Sequence, residues 1–139
     1  MALKPEVILA TSSDDRFPGS NCVDGKGHTF FLTSGGYPQE IILAFHGNSA
    51  TISKIKIVSN GVKAVRIEKS VEAMPVKFEA VVEGVEFAAK DNGYQIEQFN
   101  VNKDTLGKNI RYIKVIILSG YEQFSCINEI QIEGEEHDS

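Results

Sequence analysis

Short runs of alternating apolar and polar residues, each closed off by glycine or asparagine, are what most narrows the folds open to this chain. Ile55, Ile57 and Ser59 alternate with Lys54, Lys56 and Val58, and Val65 and Ile67 alternate with Arg66 and Glu68. A period of two places one side of a strand in a core and the other in water. Asn60-Gly61 stands between the two runs. That dipeptide readily adopts positive φ and suits a tight turn, so 51–59 and 62–69 are expected to pair as an antiparallel hairpin. Further strand-like runs occupy 40–45, 76–85, 110–119 and 124–133, the last ending at Gly134. Turn chemistry separates them at Asp24-Gly25, Gly35-Gly36, His46-Gly47-Asn48, Asp91-Asn92-Gly93 and Leu106-Gly107. Only 85–90 has a helix-like composition, and it is too short to nucleate a helix. About eight short strands imply an all-β fold, a jelly-roll β-sandwich whose two sheets share one core.

The size fits one domain of this kind, since the chain has 139 residues, 42% of them hydrophobic and 24% charged. We expect the domain to span 1–134 and to be followed by a polar, disordered tail, 135–139, carrying Glu135, Glu136 and Asp138. Fourteen Lys and Arg against nineteen Asp and Glu give a net charge of −5, which repels a phosphate backbone and an anionic membrane surface. Nucleic acid is therefore not the expected partner. No apolar run approaches the roughly 18 residues that span a bilayer, and residues 1–6 lack a signal-peptide core. A soluble, intracellular protein without membrane insertion is expected. Cys22 and Cys126 are too few for a disulfide framework and are read as free thiols.

Chemistry concentrates in the front loop, from Thr11-Ser12-Ser13-Asp14-Asp15-Arg16 through Asn21-Cys22-Val23-Asp24-Gly25-Lys26-Gly27-His28-Thr29. Calcium takes six to eight hard oxygens, and Asp24, Thr29 and the intervening carbonyls are of the right type. An Asx turn capped by Asp24 explains the same residues, and local spacing alone favours it, because calcium needs a further carboxylate from elsewhere. Glu129 is a candidate for that carboxylate. It lies among Ile127, Ile130 and Ile132, and a carboxylate at the edge of a core needs a partner, which a cation can be.

Two motifs at opposite ends of the chain carry a resemblance. Asn21-x-x-Asp24-Gly25-x-x-x-Thr29-Phe30-Phe31 and Ile127-Asn128-Glu129-Ile130-x-Ile132-x-Gly134 resemble the galactose-binding-like, discoidin-type jelly roll. The resemblance implies one structural calcium, held by the side chains of Asp24, Thr29 and Glu129 and by carbonyls around Asn21, Lys26 and Thr29. A narrower likeness comes from Glu6-Val7-Ile8-Leu9-Ala10-Thr11-Ser12-Ser13-Asp14 and Tyr37-Pro38-Gln39-Glu40. These strings are similar to the family of small jelly-roll subunits of the intraflagellar transport B complex, formerly grouped with small heat-shock proteins. Membership implies a Rab-like small GTPase as heterodimer partner, contacts with other transport-complex subunits, and residence in cytoplasm and cilium or flagellum. Exposed aromatics are the natural anchors for such a partner, and Tyr37, Tyr94, Phe99 and Tyr121 are taken as candidates.

Other functions find less support in the residues. His28, His46 and His137 stand singly, Gly-x-Ser-x-Gly is absent, and Ser34-Gly35-Gly36 lacks the lysine of a phosphate loop, so no enzyme is expected. The acids Glu129, Glu133, Glu135 and Glu136 are explained by a solvated edge strand and tail. A carbohydrate-binding module is the alternative, because the fold is widely used that way, but the chain has no Trp and its aromatics are eight Phe and four Tyr. Ile130-Gln131-Ile132 looks like a small heat-shock anchor, yet strand alternation alone produces it. Lys54, Lys56, Lys63 and Arg66 on the expected hairpin are read as a wet strand face rather than an acidic-partner site.

Overall fold

The computed structural model describes residues 2–10, 23, 31–32, 37–45, 47, 49–89, 94–121 and 125–137. Strands are β1 (Ala2–Leu3), β2 (Glu6–Ala10), β3 (Phe31–Leu32), β4 (Gln39–Ala44) and β5 (Ser49–Asn60). They continue with β6 (Val62–Ser70), β7 (Glu79–Glu86), β8 (Gln95–Asn100), β9 (Tyr112–Gly120) and β10 (Cys126–His137). The first sheet runs β1-β10-β5-β8, with β3 also paired to β10, and the second runs β2-β4-β9-β6-β7. Every pairing is antiparallel. Two such layers burying their facing sides make the expected β-sandwich. Among the described residues no helix is long and apolar enough to cross a membrane.

Isoleucine fills the space between the layers. Ile52, Ile55 and Ile57 of β5 and Ile127, Ile130 and Ile132 of β10 meet Ile41, Leu43, Val65, Ile67, Ile113, Val115 and Ile117 from the second sheet in one cluster. β-Branched side chains are stiff and suit a pleated surface, so the sequence alternation converts directly into this core. Two bulges adjust it: β5 has Ser53 in excess where Gly134 and Glu133 face Ile52 and Lys54, and β10 has Asn128 in excess where Ile127 and Glu129 face Ser59 and Val58. Each bulge resets which residues point inward.

The expected hairpin at Asn60-Gly61 is not formed. β5 belongs to the first sheet and β6 to the second, so the two strands face each other across the core instead of pairing edge to edge. Both edges of β5 are already taken, by β10 and β8, and both edges of β6 by β9 and β7. Gly61, at φ 78°, is the single residue that lies between β5 and β6 and turns the chain from one layer into the other. Its carbonyl accepts Tyr121 N–H at 2.9 Å and Ser125 Oγ at 3.2 Å. Lys54 and Lys56 accordingly lie on one sheet, and Lys63 and Arg66 on the other, so these four cations do not form one face.

Two further expectations change. β8 is an unpredicted strand, whereas 85–86, part of the run read as too short for a helix, close β7. Residues 135–137 are not a tail: they extend β10 along β5, with Glu135 opposite Thr51, Glu136 opposite Ala50 and His137 opposite Ser49. Backbone pairing overrides the polar side chains there.

Cys126 is a free thiol, half-buried at the start of β10, and burial raises its pKa. The folded state thus holds this proton more tightly than the unfolded state. Its stabilising contribution is complete below the unfolded pKa and is lost as pH rises through the folded one. Iodoacetamide at pH 8 should label Cys126 more slowly in the folded protein than in urea, read by mass spectrometry of its peptide. Equal rates would show that the thiol is not shielded.

Candidate functional site

One end of the sandwich gathers the residues with unusual chemistry. The β5–β6 corner at Gly61, the start of β8 and the end of β9 all lie there, because Ser59 is opposite Gln95 and Val62 opposite Gly120. Gln95 is 2% exposed, in a strand whose apolar Ile96 points outward at 57% exposure. Its amide is fully used. Oε1 accepts Ser59 Oγ at 3.1 Å and Val62 N–H at 3.0 Å, while Nε2 donates to the carbonyls of Val62 at 2.7 Å and Ala88 at 3.0 Å. One buried side chain thereby ties β5, the first residue of β6 and the chain leaving β7 together. A buried amide is tolerated when it is satisfied in this way.

The same end receives the start of β10. Cys126 and Ile127 pair with Leu32 and Phe31 of β3 on one side, and with Asn60 and Ser59 of β5 on the other. Glu129, the expected carboxylate ligand, follows within two residues. It is half-buried, and its Oε1 accepts Gln131 Nε2 at 2.7 Å. Asn128 beside it is 8% exposed, and its Oδ1 is buried without a hydrogen-bond partner. Buried polar atoms almost always have partners, and an orphaned amide oxygen, here on the residue before a carboxylate, is a donor of the hard type that calcium accepts. Among the described residues no three His, Cys, Asp or Glu side chains converge. Asn21, Asp24, Lys26 and Thr29 lie outside the described residues, although the chain that carries them enters β3 at Phe31.

The four candidate partner anchors differ in what they offer. Tyr37 is half-buried against the core, and its hydroxyl shares a 2.6 Å hydrogen bond with Ser125 Oγ. Phe99 is also packed on the core, stacked on Phe87 with ring centres 6.3 Å apart. Tyr94 is 53% exposed and Tyr121 44% exposed. The Tyr121 hydroxyl donates to the Phe87 carbonyl at 2.6 Å, and the Lys63 ammonium lies 6.0 Å from its ring centre. Tyr94 and Tyr121 therefore present ring surface at the Gln95 end, whereas Tyr37 and Phe99 are largely spent on packing.

Other candidate residues resolve simply. Ile130 and Ile132 are core residues with Gln131 exposed between them, as plain alternation requires. His137 bonds Thr51 Oγ1 through Nε2 at 2.9 Å, and His28 and His46 lie outside the described residues. Glu133 pairs with Lys54 at 3.6 Å on an exposed strand face. A shallow polar depression of about 230 Å³ beside it is lined by Thr51, Ser53, Lys103, Glu133, Gly134 and Glu135, with no aromatic ring on which a sugar could stack. Sequence reasoning assigned no role to Gln95 or Asn128. An inverted burial pattern marks the first and a bulge the second, and neither is visible before the strand partners are known.

Two antiparallel sheets in this order make the chain a galactose-binding-like jelly roll. It superposes on the family 32 carbohydrate-binding module of NanJ from C. perfringens, solved with galactose, with a TM-score of 0.76 and 17% identity over 94% of this chain and 96% of that one. XRCC1, in a structure bound to the DNA pol beta catalytic domain, gives a TM-score of 0.82 and 12% identity over 97% and 99%. At such identities the likeness is one of fold. No protein-family model matches the chain. In sequence it is 38% identical over 131 residues to the intraflagellar transport protein 25 homolog of Mus musculus, covering 93% of this chain and 86% of that protein. It is 36% identical over 128 residues to intraflagellar transport protein 25 of Chlamydomonas reinhardtii, covering 92% of this chain and 64% of that protein. The chain belongs to the intraflagellar transport protein 25 family.

Proposed function

We propose that this protein is a non-catalytic subunit of the intraflagellar transport B complex, forming a heterodimer with a Rab-like small GTPase in cytoplasm and cilium. The observation that carries the reading is the 38% identity, over 93% of this chain and 86% of its relative, to a named transport protein. The geometry supports recognition rather than chemistry: a rigid sandwich clamped at one end by Gln95, with the exposed rings of Tyr94 and Tyr121 flanking the clamp. Large aromatic faces on a fixed support are what interface anchors require. Tagged protein isolated from ciliated cells should bring down a Rab-like GTPase and transport-complex subunits at stoichiometric levels by mass spectrometry. Recovery of neither under gentle conditions would overturn the reading. A shift of tyrosine fluorescence on galactose titration would then favour the carbohydrate-binding alternative.

The reading includes a structural calcium, with Asp24, Thr29 and Glu129 as side-chain ligands and carbonyls near Asn21, Lys26 and Thr29. When bound, the ion would neutralise clustered oxygens and cross-link the segment before β3 to β10. The orphaned Asn128 oxygen beside Glu129 supports it. Binding to the native state alone stabilises by about 2.7 kcal/mol when calcium stands about 100-fold above its Kd. Chelation with EDTA should therefore lower the melting temperature without abolishing the fold. An unchanged melt in protein verified free of calcium would remove the ion from the account.

A further inference from the structure

We propose that the β6–β7 loop, residues 71–78, is a docking prong for an apolar, basic-rimmed pocket on a transport-complex subunit other than the GTPase; this rests on the complex membership argued above. Val71, Met74 and Val76 of the loop are 45%, 68% and 48% exposed, and none belongs to the core cluster. Single exposed apolar residues are ordinary on a protein surface. Three within six residues form a patch when the loop that carries them is held in one shape.

The loop is held, and by groups other than those side chains. Ser70, 1% exposed at the end of β6, is the hub: its Oγ donates to the Val76 carbonyl at 2.6 Å and accepts Glu72 N–H at 3.3 Å. Val76 N–H donates to the Met74 carbonyl at 2.8 Å across Pro75, a three-residue turn that keeps Met74 and Val76 together. The Tyr112 hydroxyl donates to the Ala73 carbonyl at 2.9 Å, and the Lys114 ammonium lies 4.1 Å from the Phe78 ring centre. Lys69 and Glu79 close the base with a 3.3 Å ion pair. Main-chain groups and flanking residues thus do the anchoring, while the apolar side chains stay in water. A partner that covers a loop already fixed meets little ordering cost, and the flexible thioether of Met74 adapts to the pocket that receives it.

Charge and position specify the occupant. Residues 71–86 carry four Glu and one Lys, and Glu83 and Glu86 on β7 are exposed without an ion pair among the described residues. Such an edge repels an anionic membrane and favours a basic rim around the pocket. The loop leaves β6 at Ser70, whereas Val62, at the other end of that strand, is bonded to Gln95 in the corner that presents Tyr94 and Tyr121. A GTPase seated on those rings leaves the prong free for a second subunit.

Tagged wild type, Met74→Asp, Met74→Ala and the double variant Glu83→Lys/Glu86→Lys, each isolated from ciliated cells after its melt is recorded, test the assignment. By mass spectrometry, Met74→Asp should recover transport-complex subunits about tenfold less than wild type, with the GTPase unchanged. Met74→Ala should lose less, and the charge-reversed variant should also fall. Full recovery of those subunits by Met74→Asp would overturn the proposal, as would recovery of the GTPase alone by wild type. Loss of the GTPase along with the subunits would assign the loop to the GTPase instead. Recovery of neither by wild type would remove complex membership, and this docking site with it. Flotation of wild type with phosphatidylserine vesicles, abolished in Met74→Asp, would make the loop a membrane contact and overturn the proposal equally. Should Met74→Asp fail to fold, full recovery by Met74→Ala and by the charge-reversed variant would overturn it.

Discussion

Replacing Gln95 with leucine is expected to lower the melting temperature by on the order of 15 °C, corresponding to about 4 kcal/mol in a domain of this size. The substitution removes four hydrogen bonds at once and leaves the N–H and C=O of Val62, the carbonyl of Ala88 and the Ser59 hydroxyl without their partner in a buried corner. Each orphaned buried group costs roughly 1–3 kcal/mol, so the loss exceeds what the added apolar surface returns. Gln95→Glu separates donor from shape: it keeps the acceptor for Val62 N–H but turns a second oxygen toward two carbonyls, and should be nearly as damaging. Ser59→Ala, which gives up one bond of the four, should cost only about 1 kcal/mol. Thermal melts of the three variants check this order. A melt of Gln95→Leu within a few degrees of wild type would show that the corner is held by packing alone.

Gly134→Ala is expected to destabilise by about 3 kcal/mol, the cost of forcing a methyl group into a closed backbone contact. A Cβ on Gly134 would run into the carbonyl oxygen of Thr51 and stand 3.0 Å from both the Thr51 carbonyl carbon and Ile52 Cα. These are backbone atoms of the strand paired to β10, beside the Ser53 bulge, and they cannot swing aside as a side chain would. Gly84→Ala is the internal control. Its nearest neighbour there is Leu118 Cδ1 at 3.5 Å, an ordinary contact, and that variant should melt within about 0.5 kcal/mol of wild type. Urea titration of both variants gives the comparison. Equal midpoints would show that β5 and β10 can part at the bulge without loss.

The all-β character, the two-layer core and most strand positions were legible, because inward residues such as Ile55, Ile57, Val65 and Ile67 alternate along the chain and alternation is a local property. Pairing was not legible at the expected hairpin turn. Asn60-Gly61 reports that the chain reverses, but whether β5 takes β6 as a neighbour depends on β8 and β10, which are distant in sequence and already fill its edges. β8 escaped notice because its buried residue is a glutamine and its isoleucine is exposed. The end of β10 escaped notice because acids at Glu135 and Glu136 looked like a solvated tail, while their backbones complete the ladder to Ala50 and Thr51. In the candidate site, residue types at 128 and 129 were readable, but Asn128 is the excess residue of a bulge set by the register with β5. Composition carries no record of register.

The place of β10 also governs how the protein can be made. It lies between β5 and the short strands β1 and β3, so the longest ladder of the first sheet joins a strand from the first half of the chain to one near the end of the sequence. During synthesis β5 emerges while more than 60 residues separate it from the first residue of β10, an interval of several seconds or more at ordinary ribosomal speeds. Until β10 arrives β5 lacks the partner of its longest ladder, and an unpaired strand edge is the kind of template that recruits other chains. Productive folding of this subunit therefore waits for its last strand, and nascent chains halted before residue 126 are the species that a cell must shield or degrade.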